Sequence, residues 1–159
     1  VKSAILTLYT GMTHKAGWIT DRVAHLEGRE HDARYLGFFE CFNAGEFYIA
    51  HDVLEDLWLE TRGQPDADFY KALIQIAGGF VHLTMHESPE YPDVGHRLRP
   101  SFRLLQKAKG YLQHYPNLHH GLNVGEAIAL IDNWCGWLEE RGFEENPLKT
   151  NHAPQLVGP

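Results

Sequence analysis

Apolar residues recur at steps of three and four between residues 46 and 61, and this spacing constrains the fold more than any other feature of the sequence. Such a spacing places the apolar side chains on one face of an α-helix. The face consists of Phe47, Ala50, Val53, Leu54, Leu57 and Trp58. Because a helix with one apolar face must bury it against another element, the segment predicts packing between helices.

The same spacing predicts further helices along the chain. Their predicted ranges are 20–27, 32–43, 67–86, 95–114 and 124–141. Pro100 is awkward in a helix interior, so the fourth of these helices can instead begin at Pro100, in a first-turn position. No alternating strand pattern of useful length accompanies them. The sequence therefore predicts an all-α fold, an antiparallel bundle of four to six packed amphipathic helices with short loops.

The sequence divides into three regions that differ in how regularly their apolar residues recur. Residues 1–31 form a weakly periodic N-terminal helical leader, residues 32–141 form the helical-bundle domain, and residues 142–159 read as an extended C-terminal tail that contains three prolines. A chain of 159 residues fits one domain of this kind.

Charge and composition argue against two classes of partner. The formal net charge is −7 at pH 7 without a run of lysine or arginine, so general nucleic-acid binding is not expected. No stretch approaches the roughly 18 apolar residues of a membrane span.

Cys41 and Cys135 are predicted to be buried free thiols, with a disulfide as the alternative. Free thiols fit a reducing compartment, so we expect a cytoplasmic protein.

An imidazole and two carboxylates lie on neighbouring turns of the predicted 46–61 helix. His51 falls just past the edge of the apolar face, and Glu55 lies four residues from His51 and three from Asp52. A position between core and solvent favours metal binding or acid–base chemistry, because partial burial shifts pKa values. The alternative is a surface hydrogen bond or a helix-stabilising pair, which the same spacing produces.

A polar stripe runs along the predicted 67–86 helix, opposite its apolar face. The stripe consists of Gln75, Gly79, His82 and His86, with Gly78 beside it. Two glycines in mid-helix cost about 1 kcal/mol each relative to alanine, which indicates that a neighbouring backbone or a ligand packs closely there. One interpretation is a helix crossing in which Gln75 and His82 are satisfied by hydrogen bonds. The other joins His82 to His51 and Glu55 across a helix pair.

Other candidate motifs are weaker or absent. His119 and His120 are assigned to a surface loop, because neighbouring side chains there are expected to point apart. The sequence contains no Glu-x-x-His pair of a di-iron bundle and no His-Glu-x-x-His zinc motif.

One motif spans residues 42–58, which read Phe-Asn-Ala-Gly-Glu-Phe-Tyr-Ile-Ala-His-Asp-Val-Leu-Glu-Asp-Leu-Trp. It resembles the signature of domain-of-unknown-function family 309, approximately Phe-Asn-x-Gly-Glu-Tyr-Phe-x-Ala-His-Glu-x-x-Glu-x-x-Trp. A second segment of that family, a Leu-Ile-Gln helix leading to a histidine, is similar to residues 73–75 and His82. The similarity covers about residues 32–114. Asp52 departs from it, since the family commonly has glutamate there, and a Pro-rich loop after Glu87 replaces the usual Gly-Asn turn.

The resemblance implies an all-α fold of packed helices and supplies no established activity. It singles out the same polar residues as the spacing does. These are Asn43, His51, Asp52, Glu55, Gln75 and His82.

Two hypotheses for function remain. In the first, the protein is a small helical enzyme or metal-binding protein, with His51, Glu55 and His82 as metal ligands or acid–base catalytic groups. Asn43, Asp52 and Gln75 then contribute to ligand binding. A divalent transition metal such as zinc, iron or manganese, held by two imidazoles and one carboxylate with an open position, would favour hydrolytic chemistry.

The second hypothesis is a non-catalytic structural or protein-interaction module. The polar residues then form a buried hydrogen-bond network, and an exposed aromatic surface mediates assembly into a homo-oligomer. The sequence identifies neither a small-molecule ligand nor a reaction.

Overall fold

The computed structural model describes residues 16–159, and within that range six α-helices follow one another along the chain. They are α1 (Ala16–Val23), α2 (Ala33–Asn43), α3 (Phe47–Thr61), α4 (Ala67–Met85), α5 (Leu98–Leu112) and α6 (Val124–Glu140). The predicted all-α fold of packed helices is therefore confirmed. Most bounds lie within three residues of the predicted ones, and Pro100 occupies the first turn of α5. Residues 1–15, which belong to the predicted leader, lie outside the described residues.

The structure also contains a small hairpin that was not predicted. Two-residue strands β1 (Leu118–His119) and β2 (Leu122–Asn123) pair antiparallel between α5 and α6. Strands of two residues are too short for an alternating pattern to be recognised in the sequence.

Helix α4 lies at the centre of the packing. It contacts α3 on one side and α5 on the other, while α2 packs on α3 and α6 packs on α5. Phe80 of α4 is fully buried, and its ring lies 5.6 Å from that of Phe42, 5.2 Å from Phe47 and 4.8 Å from Trp134 between centroids. One aromatic side chain therefore joins four helices, and α4 has little surface left for solvent.

The turn between α2 and α3 ends α2 just before the helix that carries the candidate site. Asn43 ends α2, and Gly45 follows with a φ of 78°, a left-handed conformation that favours glycine. Glu46 N donates to Cys41 O and Gly45 N donates to Phe42 O, the bond pattern of a Schellman motif. The predicted helix stop is confirmed.

The Gly78–Gly79 pair brings α4 close to α5. A Cβ atom built on Gly79 would lie 2.9 Å from both Cγ and Cδ2 of Leu105. Ser101 on the same helix donates a hydrogen bond from Oγ to Gly79 O at 2.8 Å. The predicted close packing at the glycine pair is confirmed for Gly79, where the neighbour is a helix.

The C-terminal segment contains a short 3-10 helix, Pro147–Lys149, and packs onto the helices. Asn43 donates from Nδ2 to Leu156 O and accepts at Oδ1 from Leu156 N, both at 2.8 Å. Asn146, which is buried, donates to Leu83 O of α4 at 2.6 Å. Two asparagine side chains thus join this segment to α2 and α4.

Cys41 and Cys135 are free and buried, as predicted. Burial is the main cause that raises the pKa of each thiol to about 11. Among the described helices, none has the length and apolar character that crossing a membrane requires.

The loop from α4 to α5 is held by a buried histidine. His86 is 3% exposed, and its Nδ1 accepts a hydrogen bond from Arg97 N at 3.1 Å. The imidazole must therefore be unprotonated at Nδ1. Burial lowers the pKa of His86, His96 and Lys149 lower it further, and Glu87 raises it in part.

The glycine pair yields the first prediction. Gly79→Ala should lower the free energy of unfolding, because overpacking a core costs about 1–3 kcal/mol. That exceeds the gain of about 0.5–1 kcal/mol that alanine brings to a helix interior. Urea denaturation measures the change. The matched control is Gly136→Ala in α6, where no atom lies within 4 Å of the new Cβ and stability should rise. Equal shifts of the same sign would contradict the close approach at Gly79.

The second prediction concerns pH. Because the pKa of His86 is lower in the folded state, the unfolded chain binds the proton first as the pH falls. Stability contributed by neutral His86 is present above about pH 6.5 and is lost as the pH falls through the folded-state pKa. His86→Asn keeps an acceptor for Arg97 N but does not titrate. Its free energy of unfolding should fall less steeply than that of the wild type between about pH 7 and 5. The control His114→Asn, at an exposed position, should keep the wild-type slope.

Candidate functional site

Three potential ligand atoms from one helix meet on the surface of α3. His51, Asp52 and Glu55 each offer one nitrogen or carboxylate oxygen, and these atoms all lie within 4.8 Å of one another. Asp52 is 5% exposed, whereas His51 and Glu55 are partly buried. Two of these residues are one helical turn apart and the third is adjacent in sequence, so the α-helix itself creates the group.

The side chain of Asp52 orients His51. Nδ1 of His51 lies 3.0 Å from Oδ1 of Asp52. Because an ionised carboxylate only accepts hydrogen bonds, Nδ1 is the donor. In the neutral imidazole Nε2 then carries the lone pair and is available to a ligand or a proton. A buried carboxylate behind a histidine is the arrangement found in many metal and acid–base sites.

On α4, Gly78 lies near the imidazole of His51. A Cβ atom built on this residue would lie 3.9 Å from Cδ2 of His51 and 3.3 Å from Cδ1 of Leu104. Both glycines of α4 therefore lie against α5, Gly79 at Leu105 and Gly78 at Leu104. The imidazole of His51 lies at ordinary van der Waals distance from the position of a Cβ on Gly78.

Gln75 and His82 lie on either side of Gly78 along α4. Helices α3 and α4 are joined by a short loop and run antiparallel, with Phe47 against Phe80 and His51 against Gly78. Gly78, beside the predicted stripe, lies near His51 of α3. Within the stripe, Gly79 packs on Leu105 of α5 and His86 accepts from Arg97 N at the start of α5.

Two atoms of this stripe are buried and have no hydrogen-bond partner among residues 16–159. They are Oε1 of Gln75 and Nδ1 of His82. An unpaired buried polar atom costs about 1–3 kcal/mol, and such atoms usually mark the position of a water, an ion or a ligand. The expectation that hydrogen bonds satisfy both side chains is not met at these two atoms.

The pKa values of Tyr48 on α3 and of His82 on α4 are shifted by their surroundings. Burial, with the nearby charges of Asp52 and Glu55 and the phenol of Tyr91, raises the pKa of Tyr48 to about 12. Burial and the charge of Arg97 lower the pKa of His82. At neutral pH Tyr48 is therefore a protonated phenol and His82 an uncharged imidazole.

Arg97 adds a further buried donor near His82. Its Nε atom is buried and has no hydrogen-bond partner within the described part of the chain. The backbone nitrogen of Arg97 is held by His86, which positions the residue at the start of α5.

The six residues predicted from the sequence divide into three sets. His51, Asp52 and Glu55 come together on α3. Gln75 and His82 lie on α4, and within residues 16–159 His82 belongs to no group of three His, Cys, Asp or Glu ligand atoms at the same spacing. Asn43 lies at the end of α2, where both its side-chain nitrogen and its side-chain oxygen bond Leu156.

A second group of ligand atoms was missed. Asp66, His119 and His120 also present three such atoms within 4.8 Å of one another. The adjacent histidines were expected to point apart in a surface loop, and this expectation is wrong. They lie in the hairpin turn, where the positive φ of His120 brings both rings to Asp66. The glycine after His120 was the available signal, since a two-residue turn of this type favours it.

Comparison with known proteins supports the resemblance in the motif region. The search of curated proteins found no match to the chain. The search of solved structures found none. One family model, described as "Domain of unknown function (DUF309)", matches residues 35–90, a range that contains α3, α4 and all six predicted site residues. The predicted resemblance to this family is therefore confirmed over residues 35–90.

Proposed function

We propose that the chain binds a divalent transition-metal ion, such as zinc, iron or manganese, in the groove between α3 and α4, and uses it for hydrolytic chemistry. His51 Nε2 and Glu55 are the ligands from α3, and His82 is the ligand or acid–base group from α4. The observation that carries the proposal is the hydrogen bond from His51 Nδ1 to buried Asp52 beside Glu55.

The donor set suits such an ion. Imidazole nitrogen and carboxylate oxygen are common ligands of zinc, iron and manganese. Ligand atoms around one zinc ion with bonds of about 2.0–2.2 Å lie roughly 3.3 Å apart in tetrahedral geometry. Because one ring nitrogen of His51 already lies within 4.8 Å of a carboxylate oxygen of Glu55, rotation of the two side chains can bring Nε2 and the carboxylate to that spacing.

His82 and Gln75 are the polar groups that α4 contributes to the proposed site. Burial lowers the pKa of His82, so the imidazole is neutral at pH 7 and keeps a lone pair. Nδ1 of His82 and Oε1 of Gln75 are the buried unpaired atoms, and each can bond a ligand or a water in the groove. A metal ion held by His51 and Glu55 would supply an activated water for the hydrolysis of an ester, amide or phosphoester. Tyr48, whose pKa is about 12, remains a proton donor to the substrate.

The proposal extends to the location and assembly of the protein. Two free, buried thiols fit a reducing compartment, so we place the protein in the cytoplasm. The net charge of −7 disfavours general nucleic-acid binding. Among the described residues, the large exposed apolar side chains are Leu59, Leu118 and Val157. None of these is aromatic, so the alternative of a non-catalytic module that assembles through an aromatic surface is less well supported.

The third prediction concerns metal content. Untagged protein should contain a bound divalent ion by elemental analysis, and His51→Ala should lower the number of bound ions by one. Asp52→Asn should weaken binding by about 10–100-fold, because it removes the orienting acceptor but not a ligand. The matched control is His25→Ala, which removes the exposed imidazole bonded to Glu40 and should leave the metal content unchanged. An unchanged ion count in His51→Ala would contradict the proposal.

Hydrolysis is tested with the metal-loaded protein. Nitrophenyl esters and nitrophenyl phosphodiesters serve as probes of the two main substrate classes. We expect turnover that a chelator abolishes and that His51→Ala and Glu55→Gln lose, with the His25→Ala rate unchanged. If the loaded wild type hydrolyses every probe at the rate of the buffer, the hydrolytic part of the proposal is wrong even where metal binding holds.

A further inference from the structure

The hairpin between α5 and α6 holds two histidine side chains toward the start of α4. Leu118 pairs with Asn123 and His119 pairs with Leu122, which leaves His120 and Gly121 as a two-residue turn. Both turn residues have positive φ, 46° for His120 and 75° for Gly121. This is the pattern of a type I′ turn, which normally has asparagine or glycine at these positions. A histidine in the left-handed region costs roughly 1–2 kcal/mol, so the rest of the structure must favour this arrangement.

Both imidazoles reach one carboxylate. Nε2 of His119 lies 2.8 Å from Oδ1 of Asp66, and Nε2 of His120 lies 2.7 Å from Oδ2 of the same residue. The centroids of the two rings are 4.3 Å apart. The side chains of Asp66 and His120 are 34% exposed and that of His119 is 21% exposed. The group is therefore partly enclosed and still open to an ion from solvent.

The side chain of Asp66 does not cap α4, although its position predicts that it would. It immediately precedes α4, where an aspartate usually accepts from the backbone of the first turn, yet its side chain makes no such bond. Tyr115 takes this role instead, since its Oη accepts from Phe69 N at 3.0 Å and donates to Pro65 O at 2.7 Å. The carboxylate of Asp66 is thus left for the two histidines.

Aromatic rings fix the orientation of both imidazoles. Phe69 and Tyr115 lie 4.8 Å and 5.0 Å from the ring of His119. Tyr70 lies nearly parallel to His120, with an interplanar angle of 9° and centroids 6.2 Å apart. The backbone of the turn is also held, because Tyr35 Oη donates to His120 O at 2.8 Å. Rings held in this way lose little conformational entropy when they bind an ion.

We infer that Asp66, His119 and His120 form a second binding site for a divalent transition-metal ion, with zinc as the probe. Two imidazole nitrogens and one carboxylate leave further coordination positions for water. The nitrogens now lie 2.7–2.8 Å from the oxygens, and zinc ligands lie roughly 3.3 Å apart, so entry of the ion requires a displacement of about 0.5 Å. Binding requires a lone pair on each Nε2, so a neutral imidazole carries its proton on Nδ1 in the complex and a charged one releases a proton to solvent.

The ion at this site would connect three parts of the chain. Asp66 lies at the start of α4, the histidines lie in the hairpin, and Pro159 at the C-terminus packs on Gly121. A Cβ atom on Gly121 would lie 2.5 Å from Cβ of Pro159, so the turn and the tail are in direct contact. The ion therefore stabilises the folded state of this end of the bundle. The site shares no residue with the α3 group and does not depend on the function proposed for it.

The fourth prediction separates the two sites. Full-length untagged chain carrying His51→Ala is titrated with Zn²⁺ by calorimetry, and Glu55→Gln serves as a second background in case His51→Ala disturbs folding. We expect one zinc ion to bind in each background and to raise the thermal midpoint. Adding Asp66→Asn or His120→Gln should weaken binding by at least about tenfold and remove the thermal shift. The control His114→Ala, an exposed histidine close in sequence, should change neither quantity.

Each outcome is decisive for this site. Zinc binding in both backgrounds that Asp66→Asn and His120→Gln abolish supports the site, provided that circular dichroism shows the variants folded. Absence of zinc binding in both backgrounds overturns it, as does binding that these two substitutions leave unchanged. Loss of one bound ion when His51→Ala is the single substitution tests only the α3 site. The two proposals can therefore be contradicted independently.

Discussion

Helix α4 is packed on almost every side, and the rest of the structure depends on that burial. Phe80 meets rings from α2, α3 and α6, and the missing side chain of Gly79 lets Leu105 of α5 approach the backbone. Within α4 only Asp68 and Thr84 are exposed. Gln75 and His82 are partly buried, and the buried unpaired atom of each is costly unless something bonds it.

The two groups of ligand atoms are built by different means. On α3 a single helix supplies all three residues, and the carboxylate that orients His51 is its neighbour in sequence. At the other end of α4 the carboxylate of Asp66 meets histidines more than fifty positions later in the chain. The first group needs only helix formation. The second needs the hairpin, the start of α4 and the aromatic contacts between them to be in place together, so an ion bound there would report on the folded bundle.

Most of the helical architecture could be predicted because each helix has its own apolar face, and periodicity is a local property. The α3 group could be predicted for the same reason, since residues three and four apart share a face of any helix. What could not be predicted was the use of individual polar groups. Asn43 belongs to the motif of the family, yet its amide bonds the backbone of Leu156 near the other end of the chain. Nothing in the sequence around Asn43 or Leu156 indicates that these two residues are in contact.

The amino-acid sequence by itself determined the all-α class, the order and approximate limits of the helices, the glycine pair of α4 and the proximity of His51 to Asp52 and Glu55. All of these follow from chain-local geometry. The tertiary structure alone decided that the glycine pair packs on α5, that within the described residues Gln75 and His82 retain unpaired buried atoms, and that His119 and His120 converge on Asp66. These arrangements depend on contacts between distant segments and on two left-handed residues at a turn, and neither is encoded in the spacing of apolar residues.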